Sequence, residues 1–144
     1  MDMTKSKIAT SDLLKNLENA GSFHDCMEKN QSSFIETPLH VFLNKLIAEK
    51  GVKKIDLIRE AEISEVYGYQ IFGGKKRPER DKLLSLTIPM KLTLEETENL
   101  LKATGYPLLY AKQPRDAVVI YGILHDMTLL EINELLYKEH FASL

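Results

Sequence analysis

Cysteine is almost missing from this chain: Cys26 is the only one among 144 residues. A single cysteine excludes an intramolecular disulfide and any zinc site built on paired cysteines, and it suits a reducing compartment. Long apolar runs are missing as well. The longest, Ala117 to Leu124, is far shorter than the roughly 20 residues that cross a bilayer. No apolar segment follows Met1-Asp2-Met3-Thr4-Lys5, so the layout of a secretory signal is not there. His24, His40, His125 and His140 lie far apart with no His-x-x-x-His pair, which argues against a metal site. Gly73-Gly74-Lys75-Lys76 lacks both the spacing of a phosphate-binding loop and the strand before it. The expectation is a cytoplasmic protein with no membrane partner, no cofactor and no metal, and not an enzyme.

Hydrophobic residues make up 44% of the chain and charged residues 28%, close to the average for soluble globular proteins. The net charge of −2 is unevenly spread. Residues 1–50 carry −1, residues 51–91 carry +3 and residues 92–144 carry −4. A basic middle segment between acidic flanks can focus on phosphates.

Helix start and stop signals recur from end to end, whereas strand alternation is almost absent. Thr10 or Ser11 can cap a first helix carrying Leu13, Leu14 and Leu17, closed by Gly21, and Ser22 starts a second. Thr37-Pro38 is a capping hydroxyl followed by proline at the first helical position; Leu39, Phe42, Leu43, Leu46 and Ile47 follow at helical spacing until Gly51. Lys54 to Ala61 and Ser64 to Phe72 form two short helices with a tight joint at Glu62-Ile63. A helix from about Glu79 carries Leu83, Leu84 and Leu86 until Pro89 ends it. Thr93 with Glu96 and Thr128 with Glu131 make capping boxes, the first opening a helix closed near Gly105. Pro114 starts another, although its run Ala117-Val118-Val119-Ile120-Tyr121 has strand-like composition. No internal repeat or low-complexity segment interrupts the pattern, and the boundary falls at Asn30 to Glu36. The fold expected is all-α, in three parts: an N-terminal helical extension (1–36), a central domain (37–105) and a C-terminal helical extension (106–144).

The stretch from Leu43 to Leu94 resembles the Cro/CI-type repressor family, the lambda-repressor-like helix-turn-helix domain. The likeness rests on Leu43 to Gly51, on Lys54-Ile55-Asp56-Leu57-Ile58-Arg59-Glu60-Ala61, on the turn at Ile63-Ser64 and on the helix to Phe72. Gly74-Lys75-Lys76-Arg77-Pro78 looks like the glycine, basic run and proline that follow that helix in the family, and Leu83, Leu84 and Leu92 to Glu96 complete it. Three residues depart from the pattern. Ile58 stands where a small residue is usual, Glu62 replaces the turn glycine, and Gly68 occupies a position that usually buries an aliphatic side chain. The packing between these two helices is therefore expected to differ from the family's.

The resemblance implies a sequence-specific transcriptional regulator of double-stranded DNA. Its helix 64–72 would enter the major groove, where side chains near the helix N-terminus meet base edges. Carried over position by position, Ser64, Glu65, Tyr69 and Gln70 would read bases, because Ile63, Tyr67 and Ile71 share the face expected to be buried. Gln70 can pair with adenine and Glu65 can accept from cytosine. Lys53, Lys54, Lys75, Lys76, Arg77 and Arg80 would hold phosphates and set position without specifying sequence. Val118, Val119, Tyr121, Leu129, Ile132, Leu135 and Leu136 exceed what such a domain needs, which points to a homodimer through the C-terminal helices. The alternative is a helical adaptor whose Glu65, Tyr67 and Tyr69 recognise a protein. An antitoxin or phage-control factor, binding both DNA and protein, fits either reading.

Overall fold

The computed structural model describes residues 9–29 and 37–144, and among these every regular element is helical, with nine α-helices and no strand. The chain divides into two compact units, Met1–Glu36 and Thr37–Leu144. The boundary expected at Asn30 to Glu36 and the segment Met1 to Lys5 lie outside the described residues.

In the first unit, α1 (Thr10–Asn19) follows Ala9, whose backbone is extended, and no side chain caps it. Thr10 and Ser11, expected as caps, instead lie inside the first turn. The helix stops at Ala20, one residue before the expected Gly21. Ser22 does cap α2 (Phe23–Lys29): its Oγ accepts the Asp25 N–H at 3.3 Å. No α1 residue is buried, whereas Cys26 of α2 is.

The second unit contains α3 (Leu39–Lys50), α4 (Lys54–Glu60), α5 (Glu65–Phe72), α6 (Arg80–Thr87), a 3₁₀ turn (Ile88–Met90), α7 (Leu94–Thr104), α8 (Pro114–Leu124) and α9 (Leu129–Lys138). Its punctuation is mostly as expected. Gly51 closes α3 in the left-handed region at φ 66° and donates its N–H to the Ile47 carbonyl, a conformation that costs glycine no Cβ clash. Both capping boxes, Thr93 with Glu96 and Thr128 with Glu131, close in both directions. Pro89 lies in the 3₁₀ turn that ends α6, and Pro114 opens α8, where its missing N–H is no loss. Thr37-Pro38 is displaced by one position. Pro38 itself is the capping residue, and the Thr37 hydroxyl caps nothing. The β-branched run Ala117 to Tyr121 is helical, because Val119 and Gly122 are buried on the face that packs on α9.

One core runs through α3 to α9, with Leu43, Ile58, Ile71, Leu83, Leu84, Leu100, Leu101, Ile132 and Leu136 almost wholly buried in a single cluster. Each such side chain contributes about 1.5–3 kcal/mol when withdrawn from water. This changes the reading of the C-terminal helices. Val119, Leu129, Ile132 and Leu136, expected to hold a second copy, are buried in their own unit's core. Polar ties fasten the same helices. Arg115 grips Asp81 with two hydrogen bonds of 3.0 Å and donates to the Ala142 and Ser143 carbonyls. Leu144, also buried, donates its N–H to Asn133 Oδ1 at 2.8 Å.

Candidate nucleic-acid interface

The helices α4 and α5 pack on each other across the turn 61–64. Two of the three unusual residues turn out to be one feature. Gly68 is buried, and a Cβ on it would come within 2.5 Å of Ile58 Cγ1 and 2.6 Å of Cδ1. The large side chain therefore sits on α4 and the gap on α5, which lets the two helices approach closely. The third, Glu62, has φ 56°, so this turn does take the left-handed conformation that favours glycine, and a glutamate adopts it.

The start and end of α5 are both fixed. Ser64 is its cap, with extended backbone and with Oγ accepting the Tyr67 N–H at 3.1 Å; that hydroxyl can still donate outward. At the far end Asn44 of α3 donates to the Phe72 carbonyl at 2.9 Å and to the His40 carbonyl at 2.7 Å. The chain then folds back, so that the backbone N–H groups of Lys75 and Lys76 both donate to the Gln70 carbonyl, at 2.9 and 3.2 Å. This holds both lysines beside the C-terminal turn of α5.

Gly68, Ile71 and Phe72 form the buried back of α5, with Tyr67 half-buried beside them. At about 100° per residue, the opposite arc runs Glu65, Tyr69, Val66, Gln70. The first three are exposed and Gln70 is half-buried. The four base-reading residues expected from sequence, Ser64, Glu65, Tyr69 and Gln70, thus share the cap and outer face of one helix. Val66, 70% exposed, lies among them and was not in that set. A helical projection of 65–72 alone places it there.

The six cations expected at phosphates separate into two kinds. Lys53, Lys75 and Lys76 are exposed and make no ion pair among the described residues. Lys54 is half-buried, its ammonium 5.8 Å from the centre of the Phe72 ring, a cation–π contact that steadies α4 against α5. Arg77, exposed like Lys75 and Lys76, stacks on Tyr106 at 4.1 Å and donates to the Thr104 carbonyl at 2.7 Å. Tyr106 in turn donates its hydroxyl to the Pro78 carbonyl at 2.6 Å, and burial raises its phenol pKa above the usual 10.0. Arg80 pairs with Asp116 at 2.6 Å and donates to the Leu108 carbonyl at 3.1 Å. The Asp116 carboxylate also accepts the Tyr110 N–H at 3.0 Å. Arg77 and Arg80 are therefore held by the chain itself, fastening the segment after α5 to the end of α7 and the residues beyond it. Spacing alone could not show this, because their partners lie 27 and 36 positions downstream.

Among the described residues no three histidine, cysteine or acidic side chains converge as a metal site, and no helix is long and apolar enough to cross a membrane. Compared with known proteins, the chain matches no family model, no curated protein and no solved structure.

Proposed function

We propose that the chain is a sequence-specific DNA-binding regulator of the lambda-repressor-like helix-turn-helix kind, working in the cytoplasm, with α5 in the major groove. The observation that carries this reading is the outer face of α5. A helix anchored by its buried back presents Glu65, Tyr69 and Gln70 outward, with the exposed Lys75 and Lys76 held beside its C-terminal turn and Lys53 exposed at the start of α4, and none of these three lysines makes an ion pair among the described residues. Such a face suits a groove-reading helix whose neighbours neutralise phosphates. Glu65 and Gln70 supply an acceptor for cytosine and a bidentate partner for adenine. Arg77 and Arg80 serve as anchors of the domain.

The same reading makes the protein a homodimer, because one such domain spans only a few base pairs and two related copies read a palindrome. The surface for it is the outer side of α8 and α9. There a largely apolar groove of about 560 Å³ is lined by Ala117, Val118, Tyr121, Leu135 and Phe141, with Glu139 as its one charged residue, and Leu124, Leu130 and Tyr137 are strongly exposed.

A gel shift across a salt series, using random and genomic duplexes, tests the DNA reading. Affinity should fall steeply with salt as counterions are released. Absence of binding at the lowest salt would overturn it and favour the adaptor. Light scattering of the full chain and of Tyr121→Arg tests the dimer. Truncation is unsuitable for this purpose, since residues beyond 113 belong to the core. A monomeric wild type at micromolar concentration refutes the pairing.

A further inference from the structure

Val66 is the one aliphatic side chain on the exposed arc of α5, and nothing in its own unit covers it. It stands in the first turn, the part of a groove-reading helix that reaches base edges. Tyr69, 47% exposed, follows three residues later, and Gln70 follows at four, so both are its neighbours on the helix surface. The face is thus a small apolar patch set between two polar side chains, Glu65 and Gln70, with Lys75 and Lys76 held beside its C-terminal turn, neither of them in an ion pair among the described residues.

The C5 methyl of thymine is the one methyl group that the four bases present on their major-groove edges. Resting on the DNA-binding reading above, we infer that Val66, backed by Tyr69, selects thymine by contact with that methyl group. Lys75 and Lys76 argue for a nucleic-acid occupant over an apolar protein surface, because a protein partner would have to neutralise two cations held beside a patch of two side chains. The rise between Val66 and Gln70 is about 6 Å, which spans one to two base-pair steps of about 3.4 Å. The selected thymine therefore lies within two base pairs of the adenine that Gln70 can read.

The test uses the full chain and a duplex enriched from a random-sequence pool, resynthesised with deoxyuridine in place of each thymine in turn. Deoxyuridine pairs identically but lacks the methyl group. Wild type should bind about four-fold more weakly at one such position, the value of one buried methyl group, whereas Val66→Ser should bind both forms of that position equally. Circular dichroism should leave Val66→Ser folded, because the side chain is exposed. A wild type indifferent to deoxyuridine everywhere, or a loss that persists in Val66→Ser, overturns the inference and leaves DNA binding standing. Salt-dependent binding with no enrichment from the pool does the same. Absence of any binding at low salt overturns both.

Discussion

Replacing Gly68 by alanine should destabilise the protein, against the usual expectation for a glycine inside a helix. Helix propensity alone favours alanine by about 1 kcal/mol. The added Cβ, however, would lie 2.5, 2.6 and 2.9 Å from three separate carbons of Ile58. Ile58 is fully buried and β-branched, so no single rotation clears all three contacts. Overpacking of this kind costs about 1–3 kcal/mol, and the larger part of that range applies because the α4–α5 distance itself must grow. The net loss is then about 1–2 kcal/mol, or roughly 3–8 °C in melting temperature for a chain of this length. Thermal unfolding followed by circular dichroism reads it. The cycle with Ile58→Ala gives the sharper result. That change alone should cost about 2–5 kcal/mol by opening a cavity, and in its background Gly68→Ala should become stabilising, since the new methyl group fills space and the propensity gain remains. A sign reversal of this kind measures direct coupling. If Gly68→Ala stabilises the wild type by about 1 kcal/mol, the close approach of α4 and α5 does not exist.

Glu62→Gly should stabilise by about 1 kcal/mol in urea unfolding, because a non-glycine residue in the left-handed region pays about 1–2 kcal/mol, less the backbone entropy that glycine restores to the unfolded chain; no gain would mean that the turn is not left-handed. Arg80→Ala should cost about 3 kcal/mol by leaving Asp116, whose side chain is 9% exposed, without its cation, yet it should leave the salt dependence of DNA binding unchanged. Lys75→Ala should do the reverse, sparing stability and lowering the log–log salt slope by about 1. If Arg80→Ala lowers that slope instead, Arg80 holds phosphate. The Thr93 N–H, and then Lys50 at 2.9 Å, hold the Glu96 carboxyl below the ordinary value of 4.5. A carboxyl whose pKa is lower in the folded state adds stability above its unfolded value and loses it as the pH falls toward the folded one. The stability advantage of wild type over Glu96→Gln should therefore be full near neutral pH and shrink below pH 4.5; a pH-independent difference would refute the pairing.

Elements that depend on local chemistry were legible in the sequence, and those that depend on distant partners were not. The capping boxes at Thr93 and Thr128 and the stop at Gly51 each involve groups a few residues apart, so their spacing identifies them. Ser64 likewise could be placed at the head of α5, and the outer face of that helix follows from its period. Thr10 and Thr37 failed as caps because a hydroxyl near a helix start caps only if the backbone places it one residue before the first turn. The intramolecular partners of Arg77 and Arg80 were out of reach for a different reason. A basic run has the same composition whether it faces phosphate or grips Thr104 and Asp116 on a later segment. The C-terminal helices show the same ambiguity, since an apolar stripe does not state whether its own core or a second chain covers it. Ile58 and Gly68 carry the argument furthest. Taken one position at a time, each counts against the packing that the resemblance implies. Taken together they exchange volume across a single contact, so that the bulk lost from α5 is supplied by α4 and the two helices still meet. Two departures that compensate each other therefore argue for a close α4–α5 pair, and the closeness that Gly68 permits is what sets α5 against the rest of its unit with Glu65, Val66 and Tyr69 turned outward.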